Sequence, residues 1–209
     1  MGSNAYWFAI WFTNSRDKTV VWVANRARPV NNRGSKVKLE KNGALTLTDV
    51  DGVIVWESNT TSTRVFTKNN RLVSVLREGG FEPGYFSLYF DGDNVLKLIY
   101  DGPEVSGLYW PNTDFNAYGN QVTSQNSTRI AFLDNSGRFF SSDRQVQILY
   151  LNASDAGDEM IKRRMTLDVD GNLRIYSLQD STGVWKVTWQ ASSSTAVWRT
   201  WNLWKKWNL

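Results

Sequence analysis

The sequence predicts an all-β protein, and three observations carry that prediction. One hairpin plan recurs three times along the chain, apolar residues alternate along its arms with period two, and Asn-Gly or Asp-Gly pairs stand where the chain must reverse. No window sustains an apolar period of 3.6 residues, so helices are not expected. Short strands at regular spacing, closed by turn signals, argue for a sandwich, a barrel or a prism.

The first copy of the plan is Asn42-Gly-Ala-Leu-Thr-Leu-Thr-Asp-Val-Asp-Gly-Val-Ile-Val-Trp56. Its two Gly-containing turns supply the positive φ angles of tight reversals, Leu45 and Leu47 share one face while Thr46 takes the other, and Trp56 ends the second arm. The second copy runs from Asp91-Gly92 to Trp110, and the third from Asp170-Gly171 to Trp189, with Leu173 and Ile175 inward and Arg174 outward. Trp56, Trp110 and Trp189 recur at the same place in each hairpin, which favours a packing role over a sugar-stacking one. Residues 59–70 are dominated by Ser, Thr, Asn and Lys, and a boundary is expected there. The expected organisation is a partial first unit over 1–65, a second unit over 66–191 and an atypical Trp/Lys-rich tail over 192–209. Trp198, Trp201, Trp204 and Trp207 step by three and would spread around a helix, so a disordered tail is expected rather than a membrane-surface anchor.

Composition narrows the chemistry. The 209 residues hold neither Cys nor His but 11 Trp, which removes thiol and imidazole nucleophiles, the commonest general base and the usual zinc ligands. The net charge is only +4 and the basic residues are scattered, apart from Lys162-Arg163-Arg164 and Lys205-Lys206, so nucleic acid is not an expected partner. No stretch reaches the ~18 apolar residues of a membrane span, and the aromatic run Ala5 to Phe12 lacks the flanks of a signal peptide. Against that, the glycosylation acceptor pattern occurs at Asn59, Asn126 and Asn152, each in a polar, turn-like stretch, and points to a secretory origin.

The residues Thr19-Val-Val-Trp-Val-Ala-Asn-Arg-Ala-Arg-Pro-Val30, then Gly43 to Asp49 and Asp51-Gly-Val-Ile-Val-Trp-Glu-Ser58, resemble the bulb-type (G-type, mannose-binding) lectin domain of plant S-domain receptor-like kinases. Tyr85-Phe-Ser-Leu-Tyr-Phe-Asp91, Tyr100-Asp-Gly-Pro-Glu104, Tyr109-Trp-Pro-Asn112 and Arg163 to Ser177 are similar to the second lectin-like domain of the same receptors. The resemblance covers about Asn4 to Ala191. It implies a β-prism of the bulb-lectin type, three four-stranded sheets about a pseudo-threefold axis, in tandem units of which the first is incomplete. Relative to the family the sequence begins after the usual first strand and, between Thr63 and Phe66, lacks a segment that supplies another sheet. Apolar residues of the first unit, Val20, Trp22, Leu45, Leu47 and Trp56, are therefore expected to have too few partners. The resemblance further implies a place at the extracellular face of the plasma membrane, a mannose-type glycan or glycoprotein as ligand, and receptor homo- or heterodimers. Membrane attachment and kinase activity would come only from parts of the parent receptor outside this chain. The chain itself has no Gly-rich phosphate loop, V-A-I-K, H-R-D or D-F-G, and is not expected to be an enzyme or to need a cofactor.

Bulb lectins bind mannose through Q-x-D-x-N-x-V-x-Y. Residues two apart on a strand share a face, so such a row can hydrogen-bond neighbouring sugar hydroxyls without a metal. The best match is Asp168-Val-Asp170-Gly-Asn172-Leu-Arg174-Ile-Tyr176, which keeps Asp170, Asn172 and Tyr176 but has Asp168 in place of Gln and Arg174 in place of Val. Binding there is expected to be weak or vestigial, with a protein-interaction surface as the alternative. The rows at Glu40 to Thr48 and around Asp93-Asn94 have lost the pattern, and Asp170-Gly171-Asn172 is also good turn chemistry in its own right. A calcium loop fails because Leu173 stands at the obligatory Gly and Gln179 at the bidentate Glu. A glycosidase pair fails because Asp168 and Asp170 would line one flat face instead of flanking a bond.

Overall fold

The computed structural model describes residues 5–31, 33–40, 44–58, 66–92, 95–110, 129–142 and 147–192. Among the described residues there are sixteen strands and no helix, so the all-β expectation holds. The chain divides into two compact units, Met1–Thr63 with Phe81–Pro83, and Arg64–Gly80 with Gly84–Leu209.

The first unit contains a hairpin of β1 (Ala9–Trp11) and β2 (Val20–Val23) and an antiparallel sheet of β3 (Lys36–Leu39), β4 (Leu45–Thr48) and β5 (Ile54–Glu57). Buried Asn25 ties its N-terminal segment down: its Oδ1 accepts from the Phe8 amide at 2.9 Å, and its Nδ2 donates to the Tyr6 and Arg28 carbonyls at 3.1 Å each. Trp22 and Trp56 meet edge to face at 5.2 Å, with Phe8 against both, so Trp56 packs instead of offering a platform. In the three-stranded sheet Val37, Leu47 and Trp56 stand opposite one another, with Leu39 opposite Leu45, which makes one face apolar. Leu47 is buried, but Leu39 is 68% exposed and Val37 and Ile54 are open too. Among the described residues the open apolar side chains are thus those of β3 and Ile10 and Trp11 of β1, whereas Leu47, expected to lack partners, is buried, and Trp22 and Trp56 pack on each other.

The second unit has eleven strands among its described residues: β6 (Phe66–Thr67), β7 (Leu72–Val75), β8 (Pro83–Phe90), β9 (Leu96–Asp101), β10 (Ser106–Trp110), β11 (Ile130–Leu133), β12 (Arg138–Ser142), β13 (Gln147–Asn152), β14 (Arg163–Leu167), β15 (Leu173–Gln179) and β16 (Val184–Gln190). They form three sheets, β10-β9-β8-β7, β13-β12-β11-β6 and β14-β15-β16, built from antiparallel hairpin pairs. Every sheet sends alternate residues into one core: Phe86, Leu88, Phe90, Leu96 and Leu98 from the first, Ala131, Phe139 and Leu151 from the second, Leu167, Leu173 and Ile175 from the third. Three sheets closed on a shared apolar interior make the prism that the resemblance implies, although the third has three strands among the described residues instead of four. Trp110 and Trp189 pack against that core, as their recurrence suggests.

Candidate carbohydrate-binding site

Because Leu173 and Ile175 are fully buried, strand alternation turns Arg174 and Tyr176 outward, on the same face as the residues they pair with across β14. The turn that feeds β15 is held by backbone bonds from the Gly171 amide to the Asp168 carbonyl and from the Asp168 amide to the Asn172 carbonyl, both 3.0 Å. Asp170 Oδ1 accepts from the Asn172 amide at 3.0 Å, an Asx turn that aims the carboxylate back over the strand. Gly171 sits at φ 78°, and a Cβ there would lie 2.6 Å from Phe86 Cε1, so both backbone and packing require glycine.

The geometry of the row is decided by Arg174. Its Nη1 donates to Asp168 Oδ2 at 2.5 Å and to Asp170 Oδ1 at 3.0 Å, its Nη2 donates to Asp170 Oδ2 at 2.6 Å, and its Nε reaches Gln190 Oε1 at 3.3 Å. The Tyr176 hydroxyl donates to Asp168 Oδ2 at 2.6 Å. Hydrogen bonds to Asp170, and then to Asp168, push the guanidinium still higher than its ordinary value, while burial and the bond to Asp168 raise the Tyr176 phenol. Asn172 is fully buried: its Nδ2 donates to the Ser192 carbonyl at 2.8 Å and its Oδ1 accepts from the Ser192 amide at 3.1 Å. All five expected residues come together, but they bond to one another, to Gln190 or to Ser192. The Arg174 guanidinium lies across both carboxylates of the row.

The neighbourhood extends this pattern. Arg164, opposite Tyr176, lies between the Tyr176 ring at 4.7 Å and the Trp185 ring at 4.8 Å, and burial lowers its guanidinium from the ordinary value. The Tyr109 hydroxyl donates to the Gly171 carbonyl at 2.7 Å, and burial raises that phenol. On the β8–β9 hairpin Lys97 is ion-paired with Asp91, a second case of a cation on the outward face of the strand neutralising the turn carboxylate behind it. Arg163 faces the other way and is almost wholly buried, donating to the carbonyls of Asn135, Asp155 and Asp158 at 2.8, 2.7 and 2.7 Å. Two members of the basic cluster at 162–164 therefore serve internal contacts.

Arg174 stands where a cation bound by Asp168 and Asp170 would have to sit, and no group of three His, Cys, Asp or Glu able to hold a metal occurs among the described residues. Asp168 and Asp170 share one guanidinium on a single face instead of flanking a cleft, unlike the carboxylate pair of a glycosidase. Asn152 ends β13 with an exposed side chain, whereas Asn59, Asn126, Asp93, Asn94 and the tail tryptophans lie outside the described residues. The stacking of Arg164 was not foreseen, although the register fixed by the Asp170-Gly171 turn places it opposite Tyr176 and would have revealed it.

Comparison with known proteins gives this geometry its family. A family model described as D-mannose binding lectin matches residues 19–81. The Zea mays protein named as receptor protein kinase ZmPK1 is 35% identical over 230 residues, covering 89% of this chain and 28% of the relative. The Arabidopsis thaliana G-type lectin S-receptor-like serine/threonine-protein kinase SD3-1 is 26% identical over 90% of this chain and 29% of its own length. B120 of the same type and organism is 41% identical over 38% of this chain and 9% of its own length. This chain thus spans under a third of the curated relatives it matches, and the matched part is the lectin portion, not the kinase. With the prism, the hairpin plan and these matches in agreement, residues 19–81 match the D-mannose binding lectin family, and the chain is similar along most of its length to the lectin portion of plant receptor kinases.

Proposed function

We propose that this chain is a glycan-recognition segment whose mannose-type site on β14 and β15 is closed from within, so that sugar binding is weak or vestigial. The observation that carries the reading is the fork of Arg174 onto Asp168 and Asp170. A sugar hydroxyl must displace charge-assisted bonds to reach either carboxylate, while an ordinary hydrogen bond gained returns only about 0.5–1.5 kcal/mol. The parent protein acts at the extracellular face of the plasma membrane, and exposed Asn152 is a suitable glycan acceptor there.

The test is to restore the row. Asp168→Gln with Arg174→Val removes one charge of each sign and supplies the amide and apolar contact that the motif calls for. Methyl α-mannoside titrated into the full chain by NMR should bind the double variant more tightly than the parent, by about tenfold if one hydrogen bond and one apolar contact are regained. Equal binding would leave the strand a plain hairpin. The second reading, a protein-interaction or receptor-dimerisation surface, would then lead; it is favoured by the open apolar side chains of Val37 and Leu39 on one face of β3.

A further inference from the structure

The second unit carries another concavity, away from the Arg174 row. Tyr85 of β8, Tyr100 of β9 and the turn residues Pro103, Glu104 and Val105 line a cleft of about 390 Å³, within the range of small-molecule sites. The turn closes through the Gly102 amide and the Val105 carbonyl at 3.0 Å, with Pro103 at the position where its fixed φ is favourable. Tyr100 lies across this turn: a Cβ on Gly102 would stand 2.3 Å from the Tyr100 hydroxyl, so the glycine is what admits the ring. Tyr100 is braced from behind by Phe86, ring centroids 5.1 Å apart, and Tyr85 meets it at 6.0 Å and 66°. Tyr85 is 40% exposed, and Glu104 is exposed at the rim.

We propose that this corner is a second binding site, for the apolar face of a neutral hexopyranoside. Two rings already in contact at a steep angle form one wall and a shelf, without the gap between facing rings that an aromatic cage for a quaternary ammonium requires. A pyranose suits that shape: its C–H face lies on the Tyr85 ring and its rim hydroxyls donate to the Glu104 carboxylate. The proposal is independent of the Arg174 row, since no residue is shared.

Saturation-transfer and amide-shift NMR on the full 209-residue chain, with methyl α-mannoside and methyl β-galactoside as probes and choline chloride as the cationic control, tests it. At least one glycoside should perturb the amides around Tyr85, Tyr100 and Glu104, and should do so equally in the Asp168→Gln, Arg174→Val variant. Tyr85→Ala should weaken that binding about tenfold, while Tyr85→Trp, which keeps a stacking face, should retain it. Glu104→Gln should weaken it only a few-fold, because an amide still accepts from a hydroxyl. The proposal is overturned if neither glycoside moves these amides, or if choline binds there in preference and Glu104→Gln abolishes its binding.

Discussion

At the scale of the residue, the site is governed by how each polar group is satisfied. Asp168 receives both Arg174 and the Tyr176 hydroxyl on one oxygen, so the phenol is a donor to a carboxylate and cannot ionise without losing that bond and meeting like charge. Tyr109, donating to the Gly171 carbonyl, is held neutral mainly by burial and then by the charge of Asp170. Both phenols titrate higher in the folded chain than in the unfolded one, where tyrosine ionises near pH 10. Above that pH the unfolded state binds fewer protons, so the contribution of these two phenols to stability is level below about pH 10 and falls as pH rises beyond it. Thermal melts between neutral and strongly alkaline pH should show that fall, and Tyr176→Phe with Tyr109→Phe should reduce it; an unchanged slope would mean these phenols do not carry it. The identities at the row were legible in the sequence, including Arg174 in place of Val. Its pairing was not, because which acids a guanidinium meets depends on the fold-back of the turn and not on spacing alone.

At the scale of the element, the hairpins were the most legible part of the chain. Gly52 and Gly171 have the positive φ that the Asp-Gly pairs announce, whereas Gly92 and Gly102 of the second copy do not, and the alternation of Leu45 and Leu47 or of Leu173 and Ile175 set each strand's faces. Less legible was that a turn can also be a packing position. Gly171 lies against Phe86, which belongs to a different sheet and is remote in sequence. Gly171→Ala should therefore destabilise the second unit by about 2 kcal/mol or more, combining a left-handed backbone with a methyl forced into the core ring. Chemical denaturation checks this, with Gly52→Ala as control: Gly52 shares the positive φ but nothing lies within 4 Å of its would-be Cβ, so the difference between the two variants isolates the packing part. Arg163 and Arg164 teach a related lesson. Adjacent in a basic cluster, they fall on opposite faces of β14, one taken up by loop carbonyls and the other stacked between rings, and strand alternation separates them more decisively than shared charge unites them.

At the scale of the molecule, each unit has its own relation to the prism. The second draws core residues from three sheets, so each strand is backed by two others and opening any one exposes a common interior. The first, among its described residues, has a hairpin and a single three-stranded sheet; Ile10, Trp11, Val37, Leu39 and Ile54 remain open although their strand register groups Val37 and Leu39 with buried Leu47. Which residues stay open was not legible in the sequence, because it depends on how Trp22 and Trp56 pack on each other. Local opening is governed by buried apolar contact, and a short strand with an uncovered face has little to lose. Amides of β1 to β5 should accordingly exchange faster than those of β8, β9, β14 and β15 in native-state hydrogen exchange on the full chain. Exchange in β3 should be the fastest among the first unit's strands, since all four of its residues are exposed. Equally slow exchange in β3 and β15, persisting on dilution, would show that the open face is covered within the chain itself; slowing that disappears on dilution would identify the cover as a second copy.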